Sequence, residues 1–410
     1  MKNQKGHFFF EVRSLASQLK KRGIPYVIFG NLDADSDCLK LDNFNPALTE
    51  ITLSIFKKGV SVKNCLYLYR LIKQFNNNLS KTLLFNPVFS IEDEDIIFIH
   101  TLYFIEFAGL SWFLWRNSKI LAKKNLKVIL GLNYPYKKKP FFLTLLLALV
   151  YSISDKFFIN KSKIKVIYFS TGEVLRKQFE KLLNKKVVFL PTPVLPFPYQ
   201  PDTVSVDKIS PEYSGKIKIA YIGGARYSKG FDIFVQMVEQ LSTQDEVSKK
   251  IYFLTQANIN EEQTPRDFQF TLKYIERLDS LVKKIDNLEI IAGTLTPVEY
   301  YKLLFRSDII ILPYRDSGYK TSDSNIFNEA IIAGKVVLVP SYTIIAAYLS
   351  KYSLKDLLFK REDVGDLADV IKNIVRNYKY YQEKIKKMQE DYQKIHTLDN
   401  LLNSLLKLAS

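Results

Sequence analysis

Residues 308–340 read DIIILPYRDSGYKTSDSNIFNEAIIAGKVVLVP, and this stretch decides the fold of the chain. Residues 308–313 predict a short buried strand, because a continuous apolar run stopped by proline is typical of one. A polar loop follows, and Ser322, Asp323, Ser324 and Asn325 are then N-cap candidates for a helix. Gly334 predicts the end of that helix, and the apolar run after it predicts the next strand. Strand, loop, helix and strand in this order indicate a parallel βαβ unit.

Glu329 lies about one turn into this predicted helix, on the side away from Phe327 and Ala330. In open α/β sheets a ligand binds outside the carboxyl ends of the strands, where helix N-termini present free N–H groups. A carboxylate there can accept hydrogen bonds from ligand hydroxyls. A surface glutamate on an ordinary helix is the alternative, and this stretch alone leaves both open.

Composition limits the class of protein. The chain has 410 residues, 47% of them hydrophobic, which is enough for two core-forming domains. Two cysteines, Cys38 and Cys65, predict neither a disulfide framework nor a structural zinc site, and they suit a reducing compartment. The first residues lack an apolar signal-peptide core, so we expect a cytoplasmic location.

The net charge of +17 favours anionic partners, although a bias in base composition can produce the same excess of lysine. Nucleotides, nucleic acid and an anionic membrane surface are the classes of partner to consider. We expect no nucleic-acid partner, because the basic residues do not interleave with aromatic residues in a recognisable RNA-binding motif.

The first half of the chain predicts alternating helices and strands. Gly6 precedes the first helix, where a glycine can let the backbone approach a ligand or can form a simple turn. His100 falls at the carboxyl end of the apolar strand 96–101, where an α/β site is expected. A hydrogen-bonded structural histidine is the alternative. The proline-rich residues 191–211 predict the boundary between two domains.

The second half begins with a strand that runs into the glycine pair Gly223 and Gly224, followed by a basic loop and a helix. Glycines let the backbone come close to a phosphate, and Arg226 and Lys229 can neutralise its charge. The spacing matches neither a Walker loop nor GxGxxG. The loop therefore predicts a phosphate site of another kind.

Three segments in this order resemble the donor domain of retaining GT-B glycosyltransferases of the family-four type. They are YIGGARYSKGFD at 221–232, AGTLTPVEYYKLLFRSDIIILPY at 292–314 and SNIFNEAIIAGKVVLVP at 324–340. The first half fits through Gly6-His7, through His100 after its strand, and through Leu190-Pro191-Thr192-Pro193. The resemblance implies an α/β fold of the GT-B type, in which two Rossmann-like domains face each other across a cleft, with C-terminal helices.

On this resemblance we expect three parts. Residues 1–205 would form the acceptor-side domain, residues 206–375 the nucleotide-sugar donor domain, and residues 376–410 helices that brace the first domain.

The resemblance also implies roles for the phosphate-binding residues. Lys229, with Arg226 as the second cation, would hold the donor diphosphate and stabilise it as it leaves. Gly223 and Gly224 would bring the backbone close to it. The turn at Ser324 and Asn325 would add backbone N–H groups.

The remaining implied contacts surround the rest of the donor and the acceptor. Glu329 would bind the ribose hydroxyls, and the backbone from Gly293 to Leu295 would meet the base. Gly6 would approach the diphosphate from the other domain, and His100 would line the sugar–acceptor side as the third catalytic residue.

Two positions depart from the family pattern. Thr321 stands where the family commonly has an earlier glutamate, eight positions before Glu329. Gly224 stands where the family arginine usually lies, five positions before Lys229. The first departure concerns how the donor sugar is held, and the second concerns the role of Arg226.

The sequence thus predicts a metal-independent retaining glycosyltransferase of the hexosyltransferase type, without a cofactor. It would move a sugar from a nucleoside diphosphate to a hydroxyl of a glycan or lipid-linked acceptor, in glycan or glycolipid assembly. A sugar-nucleotide epimerase of the same fold and a catalytically silent GT-B binding scaffold are the alternatives. The scaffold alternative stays open because Thr321 replaces the earlier family glutamate.

A basic segment with aromatic neighbours suggests peripheral attachment to the inner face of a membrane. No acidic residue lies between Glu106 and Asp155, and Trp112 and Trp115 lie within this segment. The apolar run 141–153 is shorter than the ~20 residues that span a bilayer, so we expect a buried or an interfacial helix. An ordinary core helix with a solvated basic face is the alternative. The cations of the segment are Arg116, Lys119, Lys123, Lys124, Lys127, Lys137, Lys138 and Lys139.

Overall fold

A computed structural model describes residues 7–31, 33–34, 36–48, 62–86, 89–136, 141–194, 215–243, 245–258, 265–315, 319–321 and 323–410. The chain forms two compact units. The first comprises residues 1–195 together with 397–410, and the second comprises residues 196–396. Gly6 and the three lysines at 137–139 lie outside the described residues.

The first unit combines two parallel sheets with helices. Its strands are β1 (Ile28–Asn31), β2 (Phe44–Leu48), β3 (Ile96–Ile99), β4 (Lys127–Gly131), β5 (Lys165–Ser170) and β6 (Val187–Phe189). Its helices are α1 (His7–Lys21), α2 (Ser36–Leu39), α3 (Val62–Leu83), α4 (Phe104–Arg116), α5 (Ser118–Leu121), α6 (Phe141–Ile153), a π-helical segment (Ser154–Ile159), α7 (Asn160–Ser162), α8 (Glu173–Leu183) and α17 (Leu398–Ala409).

The main sheet of this unit is parallel, in the order β3-β4-β5-β6, and it is covered on both faces. In β4, Val128 and Leu130 join the large core on one face, while Ile129 packs with Leu401 and Leu405 of α17 on the other. Two covered faces explain why these strands are continuous apolar runs without alternation. β1 and β2 form a separate parallel pair, and β2 lies in a polar region where the sequence predicted no strand.

The second unit is a single parallel sheet with helices on it. Its strands are β7 (Ile217–Tyr221), β8 (Ile251–Ala257), β9 (Leu288–Ala292), β10 (Ile309–Ile311), β11 (Val336–Pro340) and β12 (Leu358–Phe359). Its helices are α9 (Phe231–Ser242), α10 (Asp245–Ser248), α11 (Pro265–Val282), α12 (Pro297–Arg306), α13 (Asn325–Ile332), α14 (Ile344–Lys351), α15 (Val364–Arg376) and α16 (Tyr378–Ile395).

Strand order β9-β8-β7-β10-β11-β12 is that of a Rossmann sheet, and the order reverses between β7 and β10. These two strands pair directly, with Ile309 opposite Ile219 and Ile310 opposite Ala220. Their following loops therefore leave the same edge of the sheet in opposite directions. The crevice between such loops is where α/β sheets bind ligands.

The C-terminal helices are divided between the two units. α16 stays with the second unit, because Gln389 and Gln393 both donate side-chain hydrogen bonds to the carbonyl of Ile332 at the end of α13, at 3.0 and 3.2 Å. α17 belongs to the first unit, where Arg22 donates to Asp399 at 2.7 Å and to Asn403 at 2.6 Å. The expected bracing part, residues 376–410, is thus represented in the first unit by its last helix alone.

Candidate donor site

The two loops that flank the strand reversal touch at Gly230. This residue has φ +69°, and a Cβ atom on it would lie 1.9 Å from the carbonyl oxygen of Pro313. Only glycine meets both conditions, because other residues rarely adopt this φ and no side chain fits against that carbonyl. The glycine therefore holds the loop after β7 against the loop after β10.

Gln256 joins the glycine loop to the loop after β9. Its Oε1 accepts the N–H of Gly223 at 2.8 Å, and its Nε2 donates to the carbonyl of Gly293 at 3.4 Å. The structure thus brings together two of the residues predicted for the donor, Gly223 and Gly293. Sequence reasoning did not single out Gln256. A polar residue at the carboxyl end of the buried strand β8 was the available signal.

Lys229 and Arg226 form a pair of cations on this loop. The Nζ atom of Lys229 lies 2.9 Å from the place that a Cβ would take on Gly223, so the ammonium sits directly on the glycine backbone. Burial, and then the charge of Arg226, lowers the pKa of Lys229 to about 8. Among the residues that the structure describes, neither cation has an ion pair with a carboxylate. Two neighbouring positive charges without a counter-ion favour a bound anion.

The N-terminus of α13 lies at the same place. Ser324 is its N-cap, since its Oγ accepts the N–H of Phe327 at 3.3 Å. Tyr314 fixes that hydroxyl from the preceding loop, at 2.9 Å. Ile326, in the first turn, comes within 3.2 Å of the Cβ position at Gly223. The free N–H groups of the first turn, which includes Asn325, are therefore beside the glycine loop and Lys229.

Glu329 is buried, so the alternative of a surface glutamate on an ordinary helix is wrong. Only 4% of the residue is exposed, because α12 packs over this side of α13 and the hydroxyl of Tyr300 donates to the carboxylate. Burial raises the pKa of Glu329 to about 7, against the opposing effect of the Tyr300 hydrogen bond. Helical periodicity located the side chain relative to Phe327 but could not show that a second helix covers it.

The unusual pKa predicts a pH-dependent stability. An acid whose pKa is higher in the folded protein contributes stability that is complete below its unfolded pKa and is lost as the pH rises through the folded value. Relative to Glu329→Gln, the wild type should therefore lose up to roughly 3 kcal/mol of unfolding free energy between pH 4.5 and 7.5. Urea unfolding at pH 5 and pH 8 measures this difference. Glu276→Gln, at an exposed position of α11, is the control, and an equal wild-type-to-Gln difference at both pH values would contradict the prediction.

Arg315 connects the two loops, and sequence reasoning did not distinguish it from the other polar residues of its loop. It is buried and binds both carboxylate oxygens of Asp232, at 2.7 and 2.8 Å. It also donates to the carbonyl of Tyr227 at 2.9 Å and stacks on the ring of that residue at 3.8 Å. Arg315 is therefore a structural cation, whereas Arg226 and Lys229 remain available to a ligand.

The other predicted donor residues lie around this centre. Gly224 pairs with Asn258 of the next loop, and its Cβ position is 3.2 Å from Nε of Arg226. Leu295 is half-buried in the loop that leads to α12, just after the exposed Gly293. Thr321, in place of the family glutamate, is half-buried in the loop before α13.

In the first unit, His100 follows β3 at the carboxyl edge of the sheet, as the sequence predicted. Its Nδ1 is 2.8 Å from Oγ1 of Thr101, and its Nε2 is 3.4 Å from a carboxylate oxygen of Glu11 on α1. Burial lowers the pKa of His100 to about 4 and raises that of Glu11 to about 7. The imidazole is therefore neutral at pH 7. The contact of Glu11 with His100 was not predicted, because in the sequence Glu11 is one polar residue among others on an amphipathic helix.

No group of three or more His, Cys, Asp or Glu side chains suited to a metal ion occurs in the described part of the chain. The expectation of a metal-independent reaction stays a prediction.

Two parallel-sheet α/β units, the Rossmann strand order of the second and the C-terminal helices agree with the predicted GT-B fold class, and the match to solved structures confirms it. The chain matches the crystal structure of a UDP-forming α,α-trehalose-phosphate synthase from Burkholderia xenovorans with a TM-score of 0.64 and 13% identity, over 100% of this chain and 97% of that one. It matches sucrose-phosphate synthase from Thermosynechococcus elongatus with a TM-score of 0.60 and 15% identity, over 100% of this chain and 94% of that one.

A third similar structure is a trehalose-6-phosphate protein from E. coli bound with UDP-2-fluoro glucose. It has a TM-score of 0.64 and 13% identity, and the match covers 99% of this chain and 97% of that one. No protein-family model matches the chain, and a search of curated proteins found no match. At these identities the likeness shows the fold.

Proposed function

We propose that this protein is a glycosyltransferase that moves a sugar from a nucleoside diphosphate sugar to an acceptor hydroxyl, with retention at the anomeric carbon. The observation that carries the proposal is the cation pair Lys229 and Arg226, which has no carboxylate partner among the described residues and lies beside the N-terminus of α13. A diphosphate supplies the negative charge that this arrangement lacks.

The proposed catalysis depends on stabilising the negative charge that develops during the reaction. When the bond between the anomeric carbon and the diphosphate oxygen breaks, negative charge grows on the departing diphosphate. Lys229, Arg226 and the N–H groups at Asn325 would stabilise that charge without moving, which is how a preorganised site lowers a barrier. In this proposal Glu329 accepts hydrogen bonds from the ribose hydroxyls, and the segment from Gly293 to Leu295 contacts the base.

The proposal also covers the acceptor of the sugar and the location of the enzyme in the cell. The acceptor would be a glycan or a lipid-linked sugar, and the enzyme would work in the cytoplasm, peripherally on the inner face of an anionic membrane. His100 would line the acceptor side as a neutral imidazole. The excess of positive charge supports the membrane part.

Calorimetric titration with UDP-glucose, followed by a panel of other nucleoside diphosphate sugars, tests the donor site. UDP-glucose comes first because a similar structure is bound with UDP-2-fluoro glucose. The titrations are run with EDTA, since no metal is expected. Absence of binding by the whole panel would overturn the proposal.

Product analysis then separates the alternatives. Transfer to an acceptor, or slow hydrolysis of the donor, indicates a transferase. Conversion of the sugar without an acceptor indicates an epimerase, and binding without turnover indicates a scaffold.

Glu329→Gln should weaken nucleotide binding by roughly 1.5–3 kcal/mol, which is the usual loss for a charged hydrogen bond. Gln keeps an oxygen for Tyr300 but cannot supply the carboxylate that the ribose hydroxyls would meet. Calorimetry at pH 8, where the wild-type carboxylate is ionised, gives the largest difference. Glu276→Gln serves as the control, and unchanged affinity in Glu329→Gln would remove this residue from the donor site.

A further inference from the structure

The helix that begins at Phe141 carries an exposed line of large apolar side chains. It continues through the π-helical segment to Ser162, 22 residues in all, so it is longer than the run 141–153 suggested, and it is apolar enough by length and composition to cross a membrane. Only 28% of its most apolar 18-residue stretch is buried inside the protein. Exposed residues recur at every fourth position, which places successive ones on the same side. This apolar stripe consists of Phe141, Leu145, Leu149, Ile153 and Phe157.

The opposite side of the helix belongs to the core of the first unit. Tyr151 is buried and packs on Phe107 at 4.9 Å and on Phe179 at 5.1 Å between ring centroids. Asp155 is buried as well, where Lys185 pairs with it at 2.7 Å and Tyr168 donates to it at 2.6 Å. A helix anchored in this way cannot span a bilayer without leaving its own core. It can lie flat with one side in a membrane interface.

The sequence on either side of the stripe is strongly basic. Between Glu106 and Glu173 the sequence has 12 lysines and arginines, and its one acidic residue there is the buried Asp155. Trp115, at the end of α4, is edge-on to Phe158 at 5.5 Å, so the basic end of α4 lies beside this helix, next to the last residue of the stripe, Phe157. The exposed cations of this region without a carboxylate partner in the described parts of the chain include the five residues Arg116, Lys119, Lys123, Lys156 and Lys161.

We propose that the apolar stripe inserts into the interface of an anionic membrane, with the helix parallel to the surface and the five cations on the lipid headgroups. A second copy of the chain is a poorer occupant, because pairing two such faces would bring the cations of both copies together. Anionic lipid offers apolar depth and negative charge at once. The inference deepens the proposed membrane location and assigns it to α6, whose residues the structure describes, rather than to Lys137, Lys138 and Lys139.

Co-sedimentation of the full chain with vesicles tests the stripe. We expect strong pelleting with phosphatidylcholine vesicles that contain 30% phosphatidylglycerol and weak pelleting with phosphatidylcholine alone. Leu145→Gln/Leu149→Gln should lower the partition coefficient by about tenfold or more, since both side chains leave the apolar phase. Phe85→Gln, at a residue that is 75% exposed outside the stripe, should leave it unchanged. Equal pelleting of wild type and the double variant would overturn the proposal.

A charge-matched pair of variants tests the cations. Lys119→Gln/Lys123→Gln should lower binding several-fold at 0.1 M salt and by less at 0.5 M, because salt screens exposed charges. Lys386→Gln/Lys387→Gln removes the same charge from exposed positions of α16 and should have little effect. An equal loss in both pairs would mean that net charge alone governs binding and that this face is not the docking surface.

Tryptophan fluorescence tests insertion in a single variant. It needs no nucleotide-sugar donor and no comparison of binding between variants. The chain has two tryptophans, and Trp112→Phe leaves Trp115 at the edge of the stripe. Its emission should shift to shorter wavelength on addition of anionic vesicles and be quenched by brominated acyl chains. No shift despite pelleting would overturn the assignment.

Sedimentation velocity without lipid supplies the remaining outcome. A dimer that Leu145→Gln/Leu149→Gln converts to a monomer would make the stripe a contact between copies and overturn membrane docking. These readouts use no nucleotide sugar, so they can fail while the donor site stands, and the donor titrations can fail while docking stands.

Discussion

We expect Lys229→Ala to lower kcat/KM for the nucleotide-sugar donor by ~10²–10³-fold, the usual loss when one contact to a developing negative charge is removed. The fold should tolerate the change. Burial and Arg226 already disfavour the charged form of this lysine, as its pKa of about 8 indicates, so the folded state gives up little when the ammonium is removed. Steady-state kinetics and thermal unfolding of the same preparation measure both effects.

The pH profile separates this role from a merely structural one. Because Lys229 loses its proton near pH 8, the kcat/KM of the wild type should fall above that pH. Lys229→Arg should recover part of the activity and remove this alkaline fall, since a guanidinium stays charged. Lys249→Ala, at an exposed lysine before β8, is the control. Activity of Lys229→Ala within a few-fold of wild type would assign the leaving-group role to another residue.

Arg315→Leu should destabilise the second unit by ~3–5 kcal/mol, because it leaves the buried carboxylate of Asp232 without its partner. The loop that carries Lys229 should loosen too, since Arg315 holds the carbonyl and the ring of Tyr227. Urea unfolding measures the stability, and donor titration measures the effect on the loop.

A double variant and a second ion pair serve as controls for the burial of the Arg315–Asp232 pair. Arg315→Leu combined with Asp232→Leu should recover much of the loss, because replacing a buried ion pair with apolar side chains is often near neutral. Arg277→Leu breaks a similar pair with Glu239 near the surface and should cost about 1 kcal/mol or less. Equal losses at Arg315 and Arg277 would mean that burial of the first pair has no energetic consequence.

The strands of the two main sheets could be predicted from the sequence because most of them are buried on both faces and therefore form apolar runs. β4 and β5 occupy Lys127–Gly131 and Lys165–Ser170, which are apolar runs of the alternating helices and strands that the first half predicts. β2, with the sequence FNPAL, was missed because an asparagine and a proline interrupt its apolar residues, and in the described part of the chain it pairs with β1 alone. The division of the C-terminal helices depends on Gln389 and Gln393, whose targets on α13 only the folded chain shows.

The site was predictable where chemistry depends on residue type within one loop. Arg226, Lys229 and Gly223 come together, as their local spacing indicated, and the start of α13 lies beside them, as the family resemblance implied. The roles of Glu329, Gln256 and Arg315 depend on contacts with residues that are distant in the sequence. A single sequence does not reveal such contacts. The burial of Glu329 under Tyr300 is the clearest case.

Gln256 has a consequence for how a ligand is received. Both ends of its amide are already engaged, one with Gly223 and the other with Gly293, so the loops after β7, β8 and β9 are fixed relative to one another before anything binds. The conformational entropy of ordering them is lost when the chain folds, and little of it remains to oppose association. A glutamate at this position would turn one of these hydrogen bonds into repulsion between two oxygens. The site would then have to order itself around each arriving molecule.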